Sequence, residues 1–258
     1  MIRNWFSKKL DKAPKHQGVQ VDPMEVDLST YEELYEAHAQ SNPISLSVGG
    51  GDYEIIGRAE LEILQYFGLK AESTLFDFGC GTGRLGRHAI EFLNQGNYYG
   101  SDISETMLRE FRNMVETDSS FTLFHQRDDF FPALSGNIDF FAAFSVFTHM
   151  EMEDTYRYLC NLKAITNLNS IAVISLINYD SKLGHQIFLE QASLPHDPRW
   201  NGVRSFCTSR ESFEIVARLS GWRIENWIHG DDKKGIPKLN SSSEFWEFGQ
   251  SVVVLNRV

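Results

Sequence analysis

Apolar positions fall into two rhythms along the chain. Short apolar runs, TLFDF (74–78), YYGSDI (98–103), FTLFHQ (121–126), IDFFAAFSVF (138–147) and SIAVISLIN (170–178), read as strands. Between them apolar residues recur every three or four positions. Leu85, Ala89, Phe92 and Leu93 mark one helical face, and Met107, Leu108, Phe111, Met114 and Val115 mark a second. Tyr158, Leu159, Leu162 and Ile165 mark a third, in a helix that starts from Glu151. Upstream, Ile55, Ile56, Leu61, Ile63, Leu64 and Phe67 keep a helical period that Gly68 ends. Asp27-Leu-Ser-Thr offers N-caps to an earlier helix through YEELYEAHAQ, which Asn42-Pro43 stops. Near the end, SRESFEIVARLSG reads as a capped helix with a glycine stop, between the insert and two late strands, WRIENWI (222–228) and QSVVVLNRV (250–258).

Regular alternation of strand and helix predicts an α/β fold, a doubly wound parallel sheet covered on both faces. No helical pattern separates the two late strands, so they are expected to pair antiparallel. The prediction is a seven-stranded, mostly parallel sheet with an antiparallel last strand. Residues 1–53 form a tail and a cover helix, followed by a loop, SVGGGDY (47–53). Residues 54–258 form one domain, and 179–205 form an insert placed to act as a lid, polar and with a short helical piece around GHQIFLEQA.

The 258 residues carry a formal charge of −11 and no basic run, which disfavours a nucleic-acid substrate. The longest uninterrupted apolar stretch is FFAAF (140–144), far short of a membrane span. Three cysteines without metal-ligand spacing read as free thiols, and the chain is expected to be cytoplasmic. A short amphipathic anchor from Trp5, Phe6 and Leu10 competes with a frayed tail at the N-terminus, and the frayed tail is the preferred reading. The nineteen phenylalanines suit a buried sheet.

The chemistry concentrates in FDFGCGTGR (76–84). Gly81-Thr-Gly83-Arg-Leu-Gly86 is a literal GxGxxG, with Asp102 at the end of the next strand, as a dinucleotide site would have. Asp77 argues against that reading, because a pyrophosphate gains nothing from a carboxylate two residues before the first glycine. A ligand with a cationic amino group does gain. S-adenosylmethionine carries an ammonium, a sulfonium and a carboxylate but no phosphate. Glycines 79, 81 and 83 allow close backbone approach to its methionyl chain, and the helix start beyond them favours its carboxylate.

With these residues the chain resembles the class I S-adenosylmethionine-dependent methyltransferases, whose fold is Rossmann-like, from about residue 54 to the end. FDFGCGTGR looks like the family's first motif. The resemblance implies that Asp77, Gly79, Cys80, Gly81 and Gly83 meet the methionyl end and that Asp102, with Ile103 beside it, holds the ribose hydroxyls. It further implies that Asp128, or failing that Asp129, meets the adenine amino group. The fourth strand and its SVFTHM ending look like the family's fourth motif and place Ser145 at the cofactor. NLNS (167–170) stands where the family has a glycine-rich turn, which leaves the start of the fifth strand open. SVGGGDYEIIGR and SVFTHM also resemble a bacterial branch acting on small molecules and glycans.

Simpler roles compete. Asp77 serves a turn, Asp102 an N-cap, Asp128 and Asp129 a solvated loop, and Arg84 the surface or packing. His149, after the fourth strand, is the candidate catalytic base, against a capping or packing imidazole. Tyr179, Asp180, His185, His196 and Asp197 cluster in the insert without an acidic pair at metal-binding spacing, so no metal is expected. Tyr31, Tyr35 and Tyr53 either cover the cofactor or simply pack. The reading is methyl transfer to a small molecule or sugar, at oxygen. Transfer to nitrogen or a protein side chain, or a non-catalytic cofactor-binding partner, stands as the alternative.

Overall fold

The computed structural model describes residues 29–41, 52–115, 121–134, 136–196, 199, 202–239, 241 and 243–258. The N-terminal tail, Asn42-Pro43, the glycines of SVGGGDY and Asp197 lie outside these. In chain order the elements are α1 (Ser29–Ser41), α2 (Tyr53–Tyr66), β1 (Thr74–Phe78), α3 (Gly86–Phe92), β2 (Asn97–Asp102), α4 (Glu105–Met114), β3 (Phe121–His125) and β4 (Ile138–Ala143). There follow α5 (Met152–Asn161), β5 (Thr166–Asn178), α6 (Lys182–Ser193), β6 (Cys207–Thr208), α7 (Arg210–Leu219), β7 (Trp222–Ile228) and β8 (Ser251–Arg257).

Seven strands run in the order β3-β2-β1-β4-β5-β8-β7, and the two-residue β6 pairs with β5 off that path. The first five pair in parallel, whereas β8 is antiparallel to both β5 and β7. This is the doubly wound sheet with an antiparallel last strand. Alternation along β1 explains its two faces. Phe76 and Phe78 point into one core with Phe131, Phe141, Phe147 and Tyr158, while Leu75 points into the other with Ile63, Leu64, Phe111 and Val254. Phenylalanine supplies the first core with edge-to-face contacts: Phe131 meets Phe76 and Phe141 at 5.6 Å each.

Two strand ends differ from the sequence pattern. The apolar run 138–147 ceases to be strand at Ala143, because Ser145 adopts a left-handed φ of 60° and Phe147–His149 forms one 3₁₀ turn. β5 begins at Thr166, four residues before the apolar run, with a register shift against β4 between Ile138 and Phe140. Side chains shape this shift. Asn167 donates its backbone N–H to Ser170 Oγ (2.9 Å), and Ser170 Oγ donates to the Ile138 carbonyl (2.6 Å). In the insert, α6 is a full helix capped by Ser181, longer than the short piece expected there.

Helices are placed by close contacts as much as by apolar faces. A Cβ on Gly57 would lie 2.1 Å from the Arg84 carbonyl, so glycine is what lets α2 rest on the loop after β1. α1 is held by polar contacts. Glu36 accepts from Ser104 Oγ (2.6 Å), from the Thr106 hydroxyl and from the Thr106 backbone (3.3 Å), at the start of α4. Glu32 accepts from Arg127 (2.9 Å), and Tyr31 donates to Asp154 (3.0 Å). Among the described residues, no helix is long and apolar enough to cross a membrane.

Candidate functional site

A cavity of ≈320 Å³ opens at the carboxyl ends of β1, β2 and β4, beneath α1. Its floor is the turn after β1. Gly79, Gly81 and Gly83 all have positive φ (70°, 55° and 88°), which a chain of L side chains would resist. The turn is fastened to β2: Gly79 and Cys80 donate their N–H groups to the Ser101 carbonyl (2.8 and 2.9 Å). Gly81 donates to one oxygen of Asp102 (2.9 Å), and Ser104 donates to the other (2.8 Å). Asp102 therefore shapes the loop as well as facing the cavity. Gly83 faces away, where a Cβ would lie 2.9 Å from the Phe111 ring.

Asp77 is buried in this wall and accepts from Tyr98 Oη at 2.6 Å. Burial pushes its pKa up to about 8, against the Tyr98 hydrogen bond and with nearby Glu60 adding to the rise. Glu60, projected from the buried face of α2, pairs with Arg84 (Arg84 Nε to Glu60 Oε2, 3.3 Å). Burial raises the pKa of Glu60 and of Asp102 as well. Asp77, Glu60 and Asp102 thus bring three carboxyl groups to the cavity lining, against the one guanidinium of Arg84. An ammonium and a sulfonium fit that surplus of acid; a pyrophosphate does not.

The expected adenine acids lie elsewhere. Asp128 is exposed and accepts from the Phe130 backbone (2.9 Å), while Asp129 is buried and takes Arg157 Nε (2.9 Å). Neither borders the cavity; Gln126 does. Its Nε2 donates to the carbonyls of Asp128 (3.3 Å) and Phe130 (3.2 Å), and its Oε1 is buried without a partner. That arrangement leaves an acceptor for an amino group such as adenine's. Arg84 is likewise no surface residue but the buried partner of Glu60.

On the opposite side, Ile103, Ser145 and His149 complete the wall. Ser145 is fixed by its N–H to Ser175 Oγ (2.7 Å) and by Gln250 Nε2 (3.0 Å). His149 Nδ1 lies 2.6 Å from the Arg204 carbonyl, so Nδ1 carries the proton and Nε2 is left as the basic nitrogen. Burial lowers its pKa from 6.5, outweighing that hydrogen bond, so the ring is neutral at pH 7. A reciprocal bond, Phe206 N–H to the Thr148 carbonyl (2.7 Å), clamps the segment against the turn. Tyr31 and Tyr35 of α1 border the cavity; Tyr53 instead binds Thr82 (3.0 Å to its carbonyl). In the insert, Asp180 pairs with His229 (2.8 Å), and among the described residues no group of three or more His, Cys, Asp or Glu is placed to hold a metal.

Residues 75–167 match a family profile described as a methyltransferase domain. Residues 75–167 thus carry a methyltransferase domain of a family that depends on S-adenosylmethionine. No curated protein sequence matches the chain. The fold is shared with magnesium protoporphyrin IX methyltransferase from Synechocystis PCC 6803, solved with bound S-adenosylhomocysteine, at a TM-score of 0.62 and 16% identity over 90% of this chain and 100% of that one. The CcbJ methyltransferase from Streptomyces caelestis is similar at a TM-score of 0.59 and 14% identity, covering 89% and 98%. The O-methyltransferase NcsB1 from neocarzinostatin biosynthesis, solved with S-adenosylhomocysteine and 1,4-dihydroxy-2-naphthoic acid, gives 0.54 and 12%, covering 80% and 57%.

Glu60 and Gln126 of the methyltransferase were not singled out by sequence reasoning. A signal for Glu60 existed: it shares the buried stripe of α2 with Gly57, Ile63 and Leu64, where an acid needs a buried partner.

Proposed function

We propose that the protein transfers a methyl group from S-adenosylmethionine to a hydroxyl oxygen of a small molecule, in the cytoplasm. The observation that carries this is His149, whose Nδ1 donates to the Arg204 carbonyl and whose neutral Nε2 is available at the cavity wall. When bound, the cofactor supplies an electrophilic methyl carbon on a sulfonium that departs as a neutral thioether. Asp77 and Glu60 would receive its ammonium, Arg84 its carboxylate, Asp102 its ribose and Gln126 its adenine amino group. With the donor held there, the main remaining task is alignment of the acceptor. His149 then takes the hydroxyl proton. The fold-sharing O-methyltransferase NcsB1 supports the choice of oxygen.

The test is turnover with isotopically labelled methyl donor across hydroxyl and amine acceptors, with the product bond identified by NMR. Methoxy products, and a loss of about 10²–10⁴-fold in kcat for His149→Gln, are expected. N-methyl products, or a His149→Gln enzyme as fast as wild type, would defeat the reading.

A further inference from the structure

With the loop, Asp77, Asp102 and Gln126 given to the cofactor, the rest of the cavity is walled by Tyr31, Tyr35, Met150, Val203, His149 and Asp154. Most polar atoms there are already committed. Tyr31 Oη donates to Asp154 Oδ2 (3.0 Å), and His149 Nδ1 donates to the Arg204 carbonyl (2.6 Å). Tyr35 Oη is the exception: it is buried and has no hydrogen-bond partner. A buried hydroxyl left so is expensive, and on a residue that lines a cavity it is a group that a bound ligand can engage. The Tyr35 ring meets the His149 imidazole edge-on with centroids 5.9 Å apart, so the two side chains line the same part of the cavity.

Charge and polarity narrow what fills that space. Among the described residues, Arg84 is the single lysine or arginine lining the cavity, and it stands at the loop end against Glu60. An anionic acceptor would meet Asp154, which at this end of the cavity only the imidazoles of His38 and His149 stand near to offset. A sugar brings several hydroxyls besides the reacting one, and each buried without a partner weakens binding by about tenfold. The ring faces, Met150 and Val203 match a flat apolar body instead.

We infer that the acceptor is an uncharged aromatic hydroxyl compound, its reacting hydroxyl at His149 Nε2, its ring against the α1 tyrosines and Met150, and a second polar group at Tyr35 Oη. The inference rests on the O-methylation reading above. In the reaction the acceptor oxygen gains the methyl carbon, its proton passes to His149 Nε2, and the electron pair of the broken carbon–sulfur bond stays on sulfur.

The experiment is calorimetric titration of the full chain saturated with S-adenosylhomocysteine. The probes are 2-naphthol, 2,7-dihydroxynaphthalene, 1-hydroxy-2-naphthoate and methyl β-glucopyranoside, against wild type and Tyr35→Phe. The naphthols should bind, the carboxylate at least tenfold more weakly, and the glycoside not measurably. The diol should exceed 2-naphthol by about fivefold, as one added neutral hydrogen bond allows, and Tyr35→Phe should erase that advantage. Tyr35→Phe should keep its S-adenosylhomocysteine affinity within about twofold, as a change confined to the acceptor end requires. Tightest binding by the glycoside or the carboxylate, no binding of either naphthol, or a diol advantage that survives in Tyr35→Phe overturns the inference. So does loss of S-adenosylhomocysteine affinity in that variant, which would put the hydroxyl on the cofactor. Naphthol binding without a methoxy product when S-adenosylmethionine is supplied would count against O-transfer alone, and would support the acceptor class.

Discussion

Asp77 shows how one side chain can serve binding at the expense of folding. Its pKa stands at about 8 in the ligand-free fold against an ordinary 3.8, so its contribution to stability is complete below 3.8 and is lost as pH rises through about 8. Asp77→Asn is therefore expected to raise the melting temperature of the ligand-free protein at pH 8.5 by about 2–4 °C, the shift that ~1 kcal/mol produces in a chain of this size. The same variant should bind S-adenosylhomocysteine at least tenfold more weakly, a loss of about 1.4 kcal/mol or more. An ammonium placed beside Asp77 draws it back to the carboxylate. Calorimetry of S-adenosylhomocysteine binding at pH 7 in buffers of different ionisation heat should then report proton release. His149 has the opposite sign: its depressed pKa predicts that kcat/KM is flat through neutrality and falls only below pH 6.5. A full-chain pH profile with a midpoint above 6.5 would contradict that. The placing of Asp77, the loop glycines, Asp102 and His149 at neighbouring strand ends was legible in the sequence because each closes or follows an apolar run. Asp128 and Asp129 stand away from the cavity for a local reason: Arg157, distant in sequence, takes the second carboxylate, and no spacing rule reveals that pairing.

At the scale of elements, α1 is attached by two acids four residues apart on one face, Glu32 and Glu36, rather than by a broad apolar stripe. Burial alone would raise the Glu36 pKa, but hydrogen bonds from Ser104 and Thr106 at the start of α4 hold it down at about 2. That contribution is present above the ordinary 4.5 and is lost only as pH falls through about 2, so at neutral pH the attachment is fully charged. Glu36→Gln should leave the sheet intact and speed amide exchange in α1 about tenfold, the loss expected for roughly 1.5 kcal/mol of charge-assisted bonding. Unchanged exchange in α1 would mean that the helix is held elsewhere. The strands and helices themselves were readable from periodicity, yet their ends were not. β4 stops at Ala143 because Ser145 turns left-handed, and β5 starts early because Asn167 and Ser170 bond within their own segment. Both causes are backbone and polar events that an apolar run does not record.

For the whole molecule, the −11 formal charge and the acid surplus in the cavity act in the same direction. S-adenosylmethionine carries a net positive charge at neutral pH, whereas S-adenosylhomocysteine is neutral overall. Stopped-flow association of the first should slow as salt is raised from 20 to 500 mM, while that of the second changes little. Equal salt dependence of the two would remove the steering argument. Strand directions were foreseeable at this scale, since parallel pairing follows from alternation and the antiparallel pair from the missing helix before β8, whereas the seating of β8 between β5 and β7 leaves no such mark in the pattern.

The bond from His149 to residue 204 is made to a main-chain carbonyl. Every amino acid offers that oxygen, so the orientation of the imidazole depends on the path of the polypeptide and is indifferent to which side chain stands at 204. Evolution, or an engineer, can therefore rewrite this stretch to suit a new acceptor and keep the base aimed, provided the loop still closes through the bond between Phe206 and Thr148. With His149 as the proposed base, acceptor choice and proton transfer would share one strip of chain there and still be free to diverge independently.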